Sequence, residues 1–253
     1  MDKYGIKLSK NMLLEIKNLK VKFGDKEILK GVNFNIKPKE KVVLLGPNGS
    51  GKTVLAQVIA GNRKYKINQG KIVFSHKDIS NLSPEKITKM GISLAWQAPP
   101  KIPGVKFQDF LSKISKSKII NDIENFDLKI SSILENELNT NISGGEKKIS
   151  ELLQAIVLKP KLAIFDEIDS GLDMKNLKRV CQLIEKELLK KGAATLFITH
   201  NGHILNYFKP DKTLVMVDGK IICQSKNYQQ ILKTIKKYGY EKCKKCQFSS
   251  NRP

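Results

Sequence analysis

Arginine is almost missing from this chain of 253 residues. Three stand at Arg63, Arg179 and Arg252, while 43 basic side chains are lysine. The planar guanidinium fork underlies most specific recognition of bases and phosphates, so its scarcity argues against a sequence-reading nucleic-acid binder. Long apolar runs are missing too. The longest, such as Val42–Leu45 and Leu162–Phe165, fall far short of the roughly 18 residues a membrane-crossing helix needs. The opening MDKYGIKLSKN lacks the apolar stretch of a secretory leader, so a cytoplasmic location is expected. Four cysteines, Cys181, Cys223, Cys243 and Cys246, are too few and too unevenly spaced for a disulfide scaffold.

What is present is ordinary for a globular protein: 40% hydrophobic and 28% charged residues, enough for one large domain or a core with a smaller insert. The formal charge of +22 favours polyanionic partners in general. Lysine spread along the whole chain reads as a solvated surface rather than a nucleic-acid footprint, and no aromatic residues interleave a basic stripe. Cys243 and Cys246 form a C-x-x-C that offers two thiolates, half of a zinc or cluster site that a second copy could complete. The simpler reading is a reduced tail whose lysines lower the thiol pKa values.

Alternating segments from Leu13, LLEIKNLKVKF and EILKGVNFNIK, predict an antiparallel β layer. KVVLLG, ISLAWQ, KLAIFDE and TLFITH predict short buried strands, and TVLAQVIAG and MKNLKRVCQLIEKELLKKG predict helices closed by Gly61 and Gly192. The stretch from Pro99 to Thr140 has helical spacing and no strong strand signal, so it reads as a small helical insert. LVMVDGKIICQ predicts a hairpin turning at Asp218-Gly219. Strands alternating with helices imply an α/β fold with a mainly parallel sheet, whose ligands gather at the carboxyl ends of the strands.

The chemistry starts at Gly46-Pro47-Asn48-Gly49-Ser50-Gly51-Lys52-Thr53, which matches G-x-x-x-x-G-K-[ST] between a strand and a helix. Its glycines let backbone N–H groups close on phosphate. Lys52 is expected to reach the β- and γ-phosphates and Thr53 to offer a hydroxyl to Mg²⁺. Asp166 ends an apolar strand and is expected to hold Mg²⁺ through water, with Glu167 orienting and deprotonating the attacking water. Ser143-Gly144-Gly145-Glu146 is a capping box opening a helix, and the same exposed N–H groups make an anion site.

The order of these blocks, with Gln97, Ser170-Gly-Leu-Asp173 and His200 between and after them, resembles the nucleotide-binding domain of an ABC ATPase, from about Leu13 to Tyr240. The resemblance implies a P-loop NTPase fold with an antiparallel β subdomain and a helical subdomain at about 99–160. The ABC domain would run over 12–240, with an extension at 1–11 and a tail at 241–253. It also implies ATP and Mg²⁺ as cofactors. Phe23 would stack on adenine, Gln97 would sense Mg²⁺ and the γ-phosphate, and His200 would contact the γ-phosphate. Ser143 to Glu146 would bind the ATP of an opposite subunit, and Asp173 would sit at the dimer seam.

Within that class, DEIDSGLD, SGGEKKISELLQA, HNGHILNYFKPD and Tyr238-Gly-Tyr240 resemble the SufC family of iron–sulfur cluster assembly ATPases. Transporter subunits more often carry D-E-P-T-S-A-L-D and S-G-G-Q followed by Arg. The expected partners are a SufB-type scaffold, alone or with SufD, and a second copy in an ATP-dependent head-to-tail dimer. Direct membrane contact and nucleic acid are not expected. The alternatives are the ATP-binding subunit of a membrane transporter and a basic nucleic-acid-associated ATPase.

Overall fold

The computed structural model describes residues 11–114 and 130–240. Cys243 and Cys246, and all but the last residue of the expected N-terminal extension, lie outside these described residues. Two sheets organise the fold. In the first, β1 (Leu14–Phe23), β2 (Lys26–Ile36), β4 (Lys66–Phe74) and β5 (Lys77–Asp78) pair antiparallel in the order β2-β1-β4-β5. In the second, β3 (Lys41–Leu45), β6 (Ile92–Ala95), β9 (Leu162–Asp166), β10 (Ala194–Thr199), β11 (Lys212–Val217) and β12 (Lys220–Ser225) run in the order β12-β11-β3-β10-β9-β6. The pairs β10–β3, β10–β9, β11–β3 and β6–β9 are parallel, and only β12 joins antiparallel.

The parallel strands are apolar on both faces because both are covered. Side chains alternate across a strand. Val42, Leu44, Leu162, Ile164, Leu196 and Ile198 therefore enter one core, shared with the antiparallel sheet and α1 (Lys52–Ile59). Val43, Leu45, Ala163, Phe165 and Phe197 enter the other, beneath α5 (Gly144–Val157), α6 (Met174–Ile184) and α7 (Tyr228–Tyr238). The Phe165 and Phe197 rings stack there, 5.1 Å between centroids. The remaining α-helices among the described residues are α2 (Pro84–Met90), α3 (Phe107–Ile114) and α4 (Ile130–Glu135).

Two local expectations need correction. The Pro99–Thr140 stretch is not purely helical: β7 (Ile102–Lys106) pairs antiparallel with β8 (Glu137–Leu138), Ile102 opposite Leu138. The helix expected to run on to Gly192 ends as α at Ile184 and continues as a π turn, Glu185–Leu189, with Lys190 N–H donating to Glu185 C=O at 2.9 Å. The Asp218-Gly219 turn has positive φ at both residues, 48° and 76°, the requirement of a type I′ hairpin. Among the described residues no helix is long and apolar enough to cross a membrane.

Candidate functional site

Register brings the carboxyl ends of four strands into line. Leu45 lies beside Thr199, Asp166 beside Ile198, and Ala95 beside Phe165. The residues that follow therefore emerge on one edge: the Gly46–Thr53 loop, Gln97, Asp166 with Glu167, and His200.

The loop's glycines are sterically required. A Cβ on Gly46 would lie 2.2 Å from the Met216 carbonyl oxygen, inside any real contact distance. Gly51 has φ +102°, a conformation L side chains rarely adopt, and its Cβ would meet Leu29 at 3.0 Å. Lys52 opens α1, and its Nζ donates to the Gly46 and Pro47 carbonyls at 2.8 and 2.9 Å. Burial lowers the Lys52 pKa, while Glu167 and Asp166 pull it back up. The ammonium is thus held over the loop by acceptors that a phosphate oxygen could replace.

Glu167 is the centre of the polar cluster. Its backbone adopts φ +54°, uncommon for a residue with a side chain and costing about 1–3 kcal/mol. That conformation turns the carboxylate into the site, where the Gln97 amide donates to Oε2 at 2.6 Å and His200 Nδ1 lies 2.9 Å from Oε1. Gln97 and Glu167 line one pocket with Asn48, Gly49, Lys52 and Thr53. Asp166 is 2% exposed and its Oδ1 is buried without a partner, while the Thr53 hydroxyl bonds its carboxylate. An orphaned carboxylate oxygen beside a threonine hydroxyl and a phosphate loop is the donor set a Mg²⁺ ion takes.

Burial pushes Asp166 up to about 6, partly offset by the Thr53 hydroxyl and by Lys148 and Lys52, while Glu167 adds to the rise. A carboxyl raised in the fold keeps a proton that the unfolded chain has lost above 3.8, so its contribution to stability falls as pH climbs from 3.8 to about 6. Metal binding must release that proton. Mg²⁺-dependent nucleotide affinity is therefore expected to rise by about tenfold per unit up to about pH 6 and then level off. Titration calorimetry at several pH values checks this, and Asp166→Asn should flatten the profile.

The signature stands elsewhere. Ser143 caps α5 in a complete capping box: its Oγ accepts from Glu146 N–H at 3.2 Å, and Glu146 Oε2 accepts from Ser143 N–H at 2.8 Å. Ser143 and Gly144 are exposed, so the helix tip presents its first turn to solvent. Ser143, Gly145, Glu146, Gly171 and Asp173 line a cleft of their own that shares no lining residue with the P-loop pocket. Asp173 caps α6, both carboxylate oxygens bonded to Asn176 at 2.7 and 2.9 Å. Phe23 is 47% exposed, tilted against Tyr65 at 5.8 Å with Lys64 Nζ 5.1 Å from its ring, which leaves an accessible aromatic face.

Lys148 and Asp169 were not singled out from sequence, and Tyr240 was named only as part of a family block. Lys148 is buried, its Nζ donating to the Gln97 carbonyl at 3.0 Å and reaching the Asp166 carbonyl at 3.4 Å. The signal was there: Lys148 occupies the apolar stripe of α5 with Leu152, Ala155 and Ile156. Asp169, 7% exposed, accepts from the Thr199 hydroxyl at 2.8 Å and from Ile204 N–H at 3.4 Å. The Tyr240 hydroxyl donates to the His200 carbonyl at 3.1 Å. Lys148 thus joins Gln97 to the end of β9, Asp169 ties the segment after Glu167 to the end of β10 and the turn beyond it, and Tyr240 holds His200 from the end of α7.

Known proteins resemble this chain in sequence and in fold. A profile of the ABC transporter family matches residues 29–170. The chain is 40% identical over 251 residues to the "Probable ATP-dependent transporter ycf16" of Antithamnion sp., covering 92% of this chain and 98% of the relative. It is 42% identical over 226 residues to the "Probable ATP-dependent transporter slr0075" of Synechocystis sp., covering 83% and 88%. A nucleotide-free ATP-binding cassette from an ABC transporter superposes with a TM-score of 0.75 at 25% identity, over 92% of this chain and 98% of that one.

Proposed function

Since the chain belongs to the ABC transporter family, whose ATP-binding domains hydrolyse ATP and dimerise in an ATP-dependent way, we propose that it is a cytoplasmic motor subunit whose two half-sites are completed by a second copy. One observation carries this reading. The P-loop and the Ser143 tip line separate clefts of the same chain. A nucleotide held by one copy's loop can meet a signature only if another copy supplies it.

The geometry supports the following roles. Backbone N–H groups of Gly49 to Thr53 and the Lys52 ammonium bind the phosphates, while Phe23 stacks on the adenine ring. Thr53, Asp166 and Gln97 would hold Mg²⁺, which when bound would neutralise phosphate charge. Glu167, pinned on both oxygens by Gln97 and His200, takes a proton from the attacking water. The water oxygen bonds to the γ-phosphorus as the bond to the bridging oxygen breaks, releasing ADP and phosphate. Gly144 and Gly145 contribute N–H groups, and Ser143 its hydroxyl, to the other copy's γ-phosphate, and Asp173 lies at the seam. Closure on ATP and reopening after hydrolysis make a two-state switch.

We further propose that the client is an iron–sulfur assembly scaffold of the SufB or SufB/SufD type. The support is the SufC-like DEIDSGLD and SGGEKK blocks, in which Asp169 and Lys148 are buried and hydrogen-bonded beside the site. Trp96, next to Gln97, lines a cleft with Pro100, Ile102, Phe110 and Leu138 that would transmit closure to a client. The second reading, a transporter's ATP-binding subunit, is favoured by the relatives' names. Purification of the tagged full chain from its own cells separates the two. A soluble iron–sulfur scaffold that raises ATP turnover is the expected companion; an integral membrane protein in its place would establish the transporter reading.

A further inference from the structure

The turn between β11 and β12 meets two other elements through its backbone. Gly219 N–H donates to the Ser50 carbonyl at 3.0 Å, and Lys30 N–H of β2 donates to the Gly219 carbonyl at 2.9 Å. One residue thus joins the loop assigned to the phosphates to the sheet that carries Phe23. Around this junction the backbones close tightly. The Met216 carbonyl fills the space where a Gly46 side chain would stand, and Leu29 of β2 occupies the space beside Gly51. Ile28 of β2 also lines the P-loop pocket. A Cβ on Gly219 would lie 2.1 Å from the Ile28 carbonyl oxygen and 3.1 Å from its carbon. Both are backbone atoms, so no change of rotamer relieves that clash, and the two backbones would have to part. The fold decides which one moves. The turn continues β11, which is buried along its length between β3 and β12. β2 is the edge strand of its own sheet, and it carries β1 with it because Phe23 pairs with Lys26 across the two.

We propose that Gly219 is a positioning residue for the nucleotide: by letting β2 close on the turn, it sets the spacing between the ring of Phe23 and the P-loop. The inference rests on the assignment of Phe23 to the base and of Gly46–Thr53 to the phosphates, and adds the backbone contact that places one against the other. A side chain at 219 displaces the sheet and its aromatic ring. The phosphate end stays where it is, because Ser50 is bonded to the turn itself and Gly46 packs on Met216 of the same hairpin. What is lost is therefore the contribution of the base to affinity, and not that of the phosphates.

The test is equilibrium binding of ATP and of inorganic tripolyphosphate to the full chain and to the variants F23A, G219A and F23A/G219A. Gly219→Ala is expected to weaken ATP binding by about tenfold, what one aromatic stack contributes, and to leave tripolyphosphate binding unchanged. In the Phe23→Ala background the same substitution should cost ATP nothing more, because the ring it misplaces is already gone. Turnover of G219A at saturating ATP should stay within about twofold of the parent, the mark of lost uniform binding. Gly192→Ala controls for backbone strain. Its φ is +90° against 76° at Gly219, and its Cβ would meet only the Lys39 side chain, at 3.4 Å, so it should bind ATP as the parent does. Lys30→Pro deletes the N–H that reaches Gly219 and adds no clash, since an edge strand tolerates proline at an outward N–H. It should weaken ATP about threefold, and it carries the test if G219A does not fold. Parental ATP affinity in folded G219A or in K30P would overturn the proposal. So would equal losses of ATP and tripolyphosphate, or losses that add in the double variant. Parental ATP affinity in F23A would withdraw the base assignment and the proposal with it, whereas a loss in F23A alone would sink only the role of Gly219.

Discussion

Glu167→Gln is expected to bind Mg²⁺ and ATP as tightly as the parent chain and to turn ATP over about 10²–10⁴-fold more slowly, the usual contribution of a positioned general base. The substitution is nearly isosteric. Gln97 and His200 remain within hydrogen-bond reach of the new side chain, since each now meets one end of a planar group of the same size. Backbone strain at φ +54° is unchanged because it belongs to the turn after β9, where Glu167 N–H donates to Ile198 C=O at 2.9 Å. What disappears is one acceptor for the water's proton. Nucleotide affinity and turnover measured on the same preparation check this. A variant hydrolysing ATP at the parental rate would remove Glu167 from the chemistry.

Gly145→Asp is expected to leave one chain's own nucleotide affinity intact and to lower turnover by at least about 10²-fold, as loss of a transition-state donor does. The position has room. A Cβ there meets Leu172 at 3.4 Å and the Gly171 carbonyl at 3.6 Å, ordinary contacts, so the variant should fold. The cleft it enters contains no P-loop residue, so nothing on the same chain should notice. A carboxylate at the tip of α5 would instead face the phosphates of a second copy, where it repels them and cancels the helix-end charge. Fluorescent-nucleotide binding at low protein concentration, beside a turnover assay at high concentration, separates the two effects. Weakened binding in the single chain would mean that the signature serves its own P-loop.

Much of this site was legible because its chemistry is local in sequence. The Gly46–Thr53 loop needs its glycines and lysine at adjoining positions, and the Ser143–Glu146 capping box closes over three residues. Asp166 and Glu167 could be read because an apolar strand ends in acid. The parallel sheet was legible from short apolar strands separated by helical spacing. What escaped depends on distant partners. Lys148 acquires its role from Gln97, 51 residues away, and Asp169 from Thr199, 30 residues away. The β7–β8 pair escaped because β7 holds Pro103 and Gly104, poor strand formers, and finds its partner only across the insert. The π turn after Ile184 left the amphipathic spacing readable as one helix, since Leu188 stays on the buried side.

Mixing two inactive chains tests the central claim most directly. Lys52→Ala disables the P-loop of one, and Gly145→Asp disables the signature of the other. In a head-to-tail pair the intact loop of the second meets the intact signature of the first, so one of the two composite sites is whole. Turnover should reappear on mixing, toward about a quarter of the parental rate if pairing is random and a single whole site suffices. If the mixture stays as inactive as its components while both chains remain folded, each chain works with its own signature and the account of shared sites is wrong.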